Sequence, residues 1–199
     1  MAACTTYLTG FSTSCGSNLP SIKNLYIGTF ESATFTYTYQ QNGESQDVLD
    51  ADGNKIIEAV SGATLNSGAD KWVEFAFRKN SSSMDTEMTV NDNGSHFYTN
   101  SATCTFAKIE NSKRLALQSV ASGECSMIIV DSNNQTWLIG AENPVSLTTL
   151  SGSTGTAIGD SNQYSVTLSA DEANMPILIE SDQAKTIINT LTGVTPAGA

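Results

Sequence analysis

The sequence predicts a mainly β protein, a sandwich or barrel with one long hairpin and one or two short α-helices. Three observations carry that expectation. Short stretches rich in β-branched and aromatic residues alternate apolar with polar positions along much of the chain. Turn-forming Gly, Asn and Asp punctuate them, and only two stretches show a helical pattern. The hydrophobic share of 39% is modest, with Ser, Thr, Asn and Gly filling much of the rest, which suits strands and turns better than a helical bundle. At 199 residues the chain can bury one sizeable core, and no stretch reads as a linker, so residues 1–199 are expected to form a single domain.

Taken in order, Ile22 to Phe30 and Ala33 to Gln40 read as strands. Val48 to Ile57 reads as a hairpin with Asp52-Gly53 at its turn. Its Asp50, Asp52 and Asn54 sit at alternate positions, as in a calcium loop. That loop would need Gly where Lys55 stands and Glu where Ser61 stands, so a plain turn is expected. In "KWVEFAFRK", alternation places Val73, Phe75 and Phe77 on one face and Trp72, Glu74 and Arg78 on the other. A long hairpin over about 82–107 turns at Asn93-Gly94. Thr86, Met88 and Val90 share one face of its first strand, and Tyr98, Ala102, Cys104 and Phe106 one face of its second. Mixed polarity on both faces makes it an extended hairpin more than a core pair.

A helix over about 112–122 follows, with Asn111 or Ser112 as N-cap, Gly123 as its stop and Ala116, Leu117, Val120 and Ala121 as its buried stripe. Four strands then come from "CSMIIVD", "QTWLIGAE", "VSLTTL" and "QYSVTLSA", the first two joined through Ser132-Asn133-Asn134. A closing helix within "SDQAKTIINTLTG" is capped by Ser181 or Asp182 and ended by Gly193.

Charge and motif content narrow the chemistry. Twenty Asp and Glu against nine Lys and Arg give a net charge of −11, which opposes binding to a phosphate backbone. From Ser126 onward Lys185 is the only base. The start "MAACTTYLTG" lacks the basic and apolar regions of a secretory signal, and no apolar run has membrane-spanning length. Cys4, Cys15, Cys104 and Cys125 show no C-x-x-C spacing and are expected as reduced thiols, with no metal set. "GSTGTAIGD" has the glycines of a phosphate loop without its Lys, and no G-x-S-x-G elbow occurs. His96 could act as base to Cys104, but beside a turn a solvated histidine is the simpler reading. With 20 acids any carboxylate pair can be imagined, so no catalytic residue is assigned. Trp72, Tyr98 and Trp137 could line a carbohydrate cleft, though aromatics in strands are usually core.

Several blocks, in order, carry a resemblance. They are "CTTYLTGFSTSCGSNLPSIKNLYIG", the stretch from "VEFAFRKN" through the long hairpin to "RLALQSVA", and "CSMIIVDSNNQTWLIGAENPVSLTTLSGSTGTAIGDSNQYSVTLSADEANMP". In these the chain resembles the major tail, or tail-tube, proteins of long-tailed bacteriophages and prophages. One departure is Gln163, where related sequences often have Gly before the aromatic residue.

The resemblance implies a tail-tube-like sandwich or barrel whose copies form hexameric rings. These stack into a tube in the virion, made in the host cytoplasm, together with other tail proteins. Viral DNA passes through without specific binding, and no cofactor or membrane is involved. It also implies an N-terminal arm over about 1–21 that bridges rings, and a long hairpin that helps build the inner barrel. Asp85, Glu87 and Asp92 then become candidate lumen-facing acids, the alternative being a solvated face. Gly152, Ser153, Thr154, Gly155, Thr156, Gly159 and Asp160 become a candidate subunit-contact loop. A competing reading is a surface or virion-attached β-sandwich that binds carbohydrate.

Overall fold

The computed structural model describes residues 18–42, 44–49, 53–77 and 80–193. Most of the expected N-terminal arm, with Cys4 and Cys15, lies outside the described residues, as do Asp50, Asp52 and Arg78.

The described chain is mainly β, in two sheets with two helices. In order it runs β1 (Ile22–Thr29), β2 (Ala33–Tyr39), β3 (Ile57–Leu65), β4 (Val73–Glu74), β5 (Ser82–Val90), β6 (His96–Ala107), α1 (Asn111–Ser122), β7 (Cys125–Asp131), β8 (Thr136–Ile139), β9 (Ser146–Ser153), β10 (Gln163–Glu172), β11 (Ile177–Ile179) and α2 (Ala184–Thr192). One sheet has seven strands in the order β2-β3-β11-β8-β7-β1-β4, and the other has four in the order β5-β6-β10-β9. Strands β3 and β11 were not expected from sequence. Ser61 and Gly62 interrupt the apolar pattern of β3, and β11 is only three residues long.

The main core lies between the sheets, built by Leu25 and Ile27 of β1, Met127 and Ile129 of β7, Ala102, Cys104 and Phe106 of β6, and Val166, Leu168 and Ala170 of β10. A second core lies between the larger sheet and α2, joining Val60, Ile128, Leu138 and Ile179 to Ile187 and Leu191. Ile128 faces this second core while its neighbours Met127 and Ile129 face the first. Burial on both faces explains why "MIIV" is an unbroken apolar run.

Four expectations are corrected. Val73 is exposed and its neighbour Trp72 buried, because the regular strand lasts only two residues. Trp72 turns into the second core, donating its indole N–H to Ser32 Oγ at 3.0 Å, while Phe75 and Phe77 still pack on the first. Neither helix has a side-chain N-cap hydrogen bond. Glu110 precedes α1 and Gln183 precedes α2 in the capping positions. On α1 only Leu117 and Val120 are buried, with Ala116 and Ala121 exposed, since the helix covers just one corner of the core. Lastly, β6 is no mere extended arm. Its second half is central to the smaller sheet and to the main core.

Candidate assembly surface on the four-stranded sheet

Register decides which side chains meet on the outer face of the smaller sheet. Asp85 pairs with Ser101, Glu87 with Thr99 and Thr89 with Phe97. Across β6, Thr105 pairs with Ser165, Thr103 with Thr167, Ser101 with Ser169 and Thr99 with Asp171. On β9, Ser153 pairs with Gln163, Ser151 with Ser165 and Thr149 with Thr167. Directly paired residues share a face, so one side of this sheet is a carpet of Ser and Thr. Its exceptions are Phe97, Ala107, Gln163 and three carboxylates. Hydroxyls bridge the carpet, with Thr103 and Thr167 3.1 Å apart and Thr99 donating to Asp171 at 2.6 Å. None of the four strands contains Lys or Arg, so the only formal charges on this face are negative.

Asp85 and Glu87 lie on this face as a pair on β5, with Ser83 donating to Asp85 at 2.8 Å. Asp92 does not join them. It sits in the exposed turn of the hairpin, between Asn91, whose N–H donates to Ser95 O, and Gly94 with φ 83°. Asp171 takes the third place, brought beside Glu87 through Thr99. Its position was readable from the alternation of "QYSVTLSADE", but which face that strand shares with β5 depends on long-range pairing.

The Gly/Thr loop is shorter than expected, because Gly152 and Ser153 belong to β9 and pair with Tyr164 and Gln163. What remains is tied by Asp160, whose Oδ2 accepts from Thr156 N at 2.7 Å, Ala157 N at 2.8 Å and Thr156 Oγ1 at 3.1 Å. These N–H donors hold its carboxyl below the usual aspartate range. Gly155, at φ 74°, allows the turn, and a Cβ there would lie 2.3 Å from Asp160 Cβ. Gly159 has open space around it. Gln163 in place of Gly costs nothing locally, since it begins β10 in extended pairing with Ala107.

The remaining candidates do not converge. His96 and Cys104 lie eight residues apart on one strand, about 26 Å at strand rise. Burial pushes the Cys104 thiol up to about 12, far from a reactive thiolate. Trp72 is in the second core, Trp137 half-buried on β8 of the larger sheet, and Tyr98 on β6 of the smaller one, so they form no common cleft. A cavity of about 320 Å³ opens elsewhere, between Phe30, Phe35, Tyr37, Asn66 and Ala141. Burial and nearby Glu142 raise the Tyr37 phenol above its ordinary value. Among the described residues no group of three or more His, Cys, Asp or Glu is placed to hold a metal ion, and no helix is long and apolar enough to cross a membrane. In comparisons with known proteins, no family model matches the chain, no curated protein matches it and no solved structure matches it.

Proposed function

We propose that this chain is the structural subunit of a phage-type tail tube, with the four-stranded sheet supplying the wall of the bore. The observation that carries the reading is the outer face of that sheet, a hydroxyl carpet whose formal charges are all acidic. Such a face stays wetted while repelling the phosphates of a passing duplex, which a conducting wall must do.

The sheet's edges fit the same role. Strands β5 and β9 are its two outermost strands, and the order up, down, up, down makes them antiparallel to each other. Setting β9 of one copy beside β5 of the next therefore continues a uniformly antiparallel sheet and satisfies two open edges at once. Six copies would contribute about 24 strands. At about 4.8 Å spacing and a tilt of about 40°, these close at a backbone diameter of roughly 45–50 Å, leaving a bore of roughly 35–40 Å. That is wide enough for a DNA duplex to pass without touching the wall.

Electron micrographs of the purified protein over a range of concentrations, with sedimentation in parallel, test the reading. Six-fold rings or tubes support it. A protein that stays monomeric throughout overturns it.

A further inference from the structure

The cavity of about 320 Å³ lies on the larger sheet, away from the Ser/Thr face. Two of its lining residues, Ser126 and Gly140, stand two positions from Ile128 and Leu138, so they continue the second-core face of that sheet. Phe30, Phe35 and Tyr37 wall the opening, each half-buried. Phe35 is held edge-on to Trp72, with ring centroids 6.1 Å apart, and Trp72 is itself fixed by its hydrogen bond to Ser32. The walls are therefore in place before anything binds, which lowers the ordering cost of a ligand.

What the lining offers a ligand depends on which of its polar groups are already bonded. Thr34 Oγ1 donates to Asn66 Oδ1 at 2.8 Å, and Asn66 Nδ2 donates to Glu31 O at 2.8 Å. Ser126 Oγ donates to Gly140 O at 2.7 Å, and the N–H groups of Gly140 and Ala141 go to Glu172. An anion or a sugar would need donors that are spent here on the protein itself. What remains is aromatic surface and a carboxylate. Glu31 is exposed at the rim and, among the described residues, makes no ion pair. It stands at φ 58° in a turn closed by Ser32 N donating to Thr29 O, a backbone conformation that disfavours any side chain. Among the described residues no Lys, Arg or His lines the cavity. Burial, then Glu142, Tyr39 and Glu172, raise the Tyr37 phenol, so the field at that wall is negative as well.

We propose that this cavity binds a small organic ammonium ion, its head group against the rings of Phe30, Phe35 and Tyr37 and its charge met by Glu31. Aromatic rings attract a cation through their negative faces, and the rim carboxylate adds a pull of longer range. The volume is at the lower end of the range for ligand pockets, which suits a head group with a short apolar body. The site lies on the larger sheet and needs no second copy, so it stands or falls apart from the tube reading.

The test titrates the full chain with choline and, as control, with its uncharged isostere, in which carbon replaces the ammonium nitrogen. Binding is followed by calorimetry and by the aromatic signals in nuclear magnetic resonance spectra. Choline should bind about tenfold more tightly than the isostere and shift the signals of Phe30, Phe35 and Tyr37. Phe30→Leu removes one ring and should weaken choline several-fold. Glu31→Gln, at an exposed position, should keep the fold by circular dichroism melting and also weaken choline, which covers the case in which Phe30→Leu disturbs the core. Equal binding of choline and the isostere, unchanged affinity in Glu31→Gln, preference for a neutral sugar such as glucose, or no saturable binding each overturns the site. Ring formation by the same samples is read separately and bears on the tube reading alone.

Discussion

Glu172 ends β10 with its carboxylate out of water, 5% exposed, at the join between the two sheets. Its Oε1 accepts from Gly140 N at 3.0 Å and Ala141 N at 3.1 Å, and its Oε2 from Asn100 Nδ2 at 3.0 Å. Asn100, itself wholly buried, also donates to Asn174 O. These bonds tie β6 and β10 to the segment leaving β8, with Tyr37 and Glu142 as the titratable neighbours. Burial pushes the Glu172 carboxyl above the ordinary glutamate value, and the donors oppose that shift without cancelling it. The folded state therefore holds the proton to higher pH than the unfolded chain does. Stability from this group is fully present below the ordinary glutamate range and is lost as pH rises through the raised value. Glu172→Gln, neutral throughout, removes that dependence. Melting curves from about pH 4 to 8 should show the variant gaining on wild type as pH rises, and parallel curves would refute the assignment. Little of this residue-scale chemistry was legible beforehand. Asn100, Glu172 and Gly140 are far apart in sequence: the pairing of β6 with β10 brings the first two together, and the packing of the two sheets adds Gly140.

At the scale of elements, periodicity was a good guide wherever one face of a strand is wet. Strands β6 and β10 of the smaller sheet alternate cleanly, so their faces could be read directly, whereas β9 is exposed along nearly its whole length. Where both faces are covered, or an element is very short, the pattern carried less. Strand β11 has three residues, and the alternation of "KWVEFAFRK" broke once Trp72 found a buried partner in Ser32. Gly193 behaves as anticipated, ending α2 at φ 68°, whereas Gly123 ends α1 in extended backbone. Burial on both sides makes β7 the strand on which both cores depend. Ile128→Ala should cost about 2–5 kcal/mol. Leu115→Ala, exposed on α1, should stay within about 0.5 kcal/mol as a monomer. Denaturant midpoints check both, and equal effects would show that the burial assigned to β7 is wrong.

Across the whole molecule, polarity is distributed unequally between the sheets. The larger sheet is covered by the smaller one on one face and by α2 on the other. Among the described residues, the smaller sheet has one face in the main core, and nothing pairs with the outer sides of its two edge strands or covers its Ser/Thr face. On the tube reading proposed above, that face is the wall of the bore. The net charge of −11 signalled distance from nucleic acid, yet the membership of the acidic face depended on strand order, which placed Asp171 with Asp85 and Glu87 and left Asp92 in the turn. Asp85→Lys, Glu87→Lys and Asp171→Lys together should leave the subunit folded, since all three are exposed. The resulting tubes should retain duplex DNA in a salt-dependent manner that wild-type tubes lack. Equal, weak retention by both would place this face outside the bore. The most direct measurement is a six-fold averaged electron cryomicroscopy reconstruction of the assembled protein. The tube reading predicts that β5, β6, β10 and β9 of every copy line a continuous antiparallel wall, with Asp85, Glu87 and Asp171 pointing at the axis. A ring in which that sheet faces outward, or a protein that forms no ring, would contradict it.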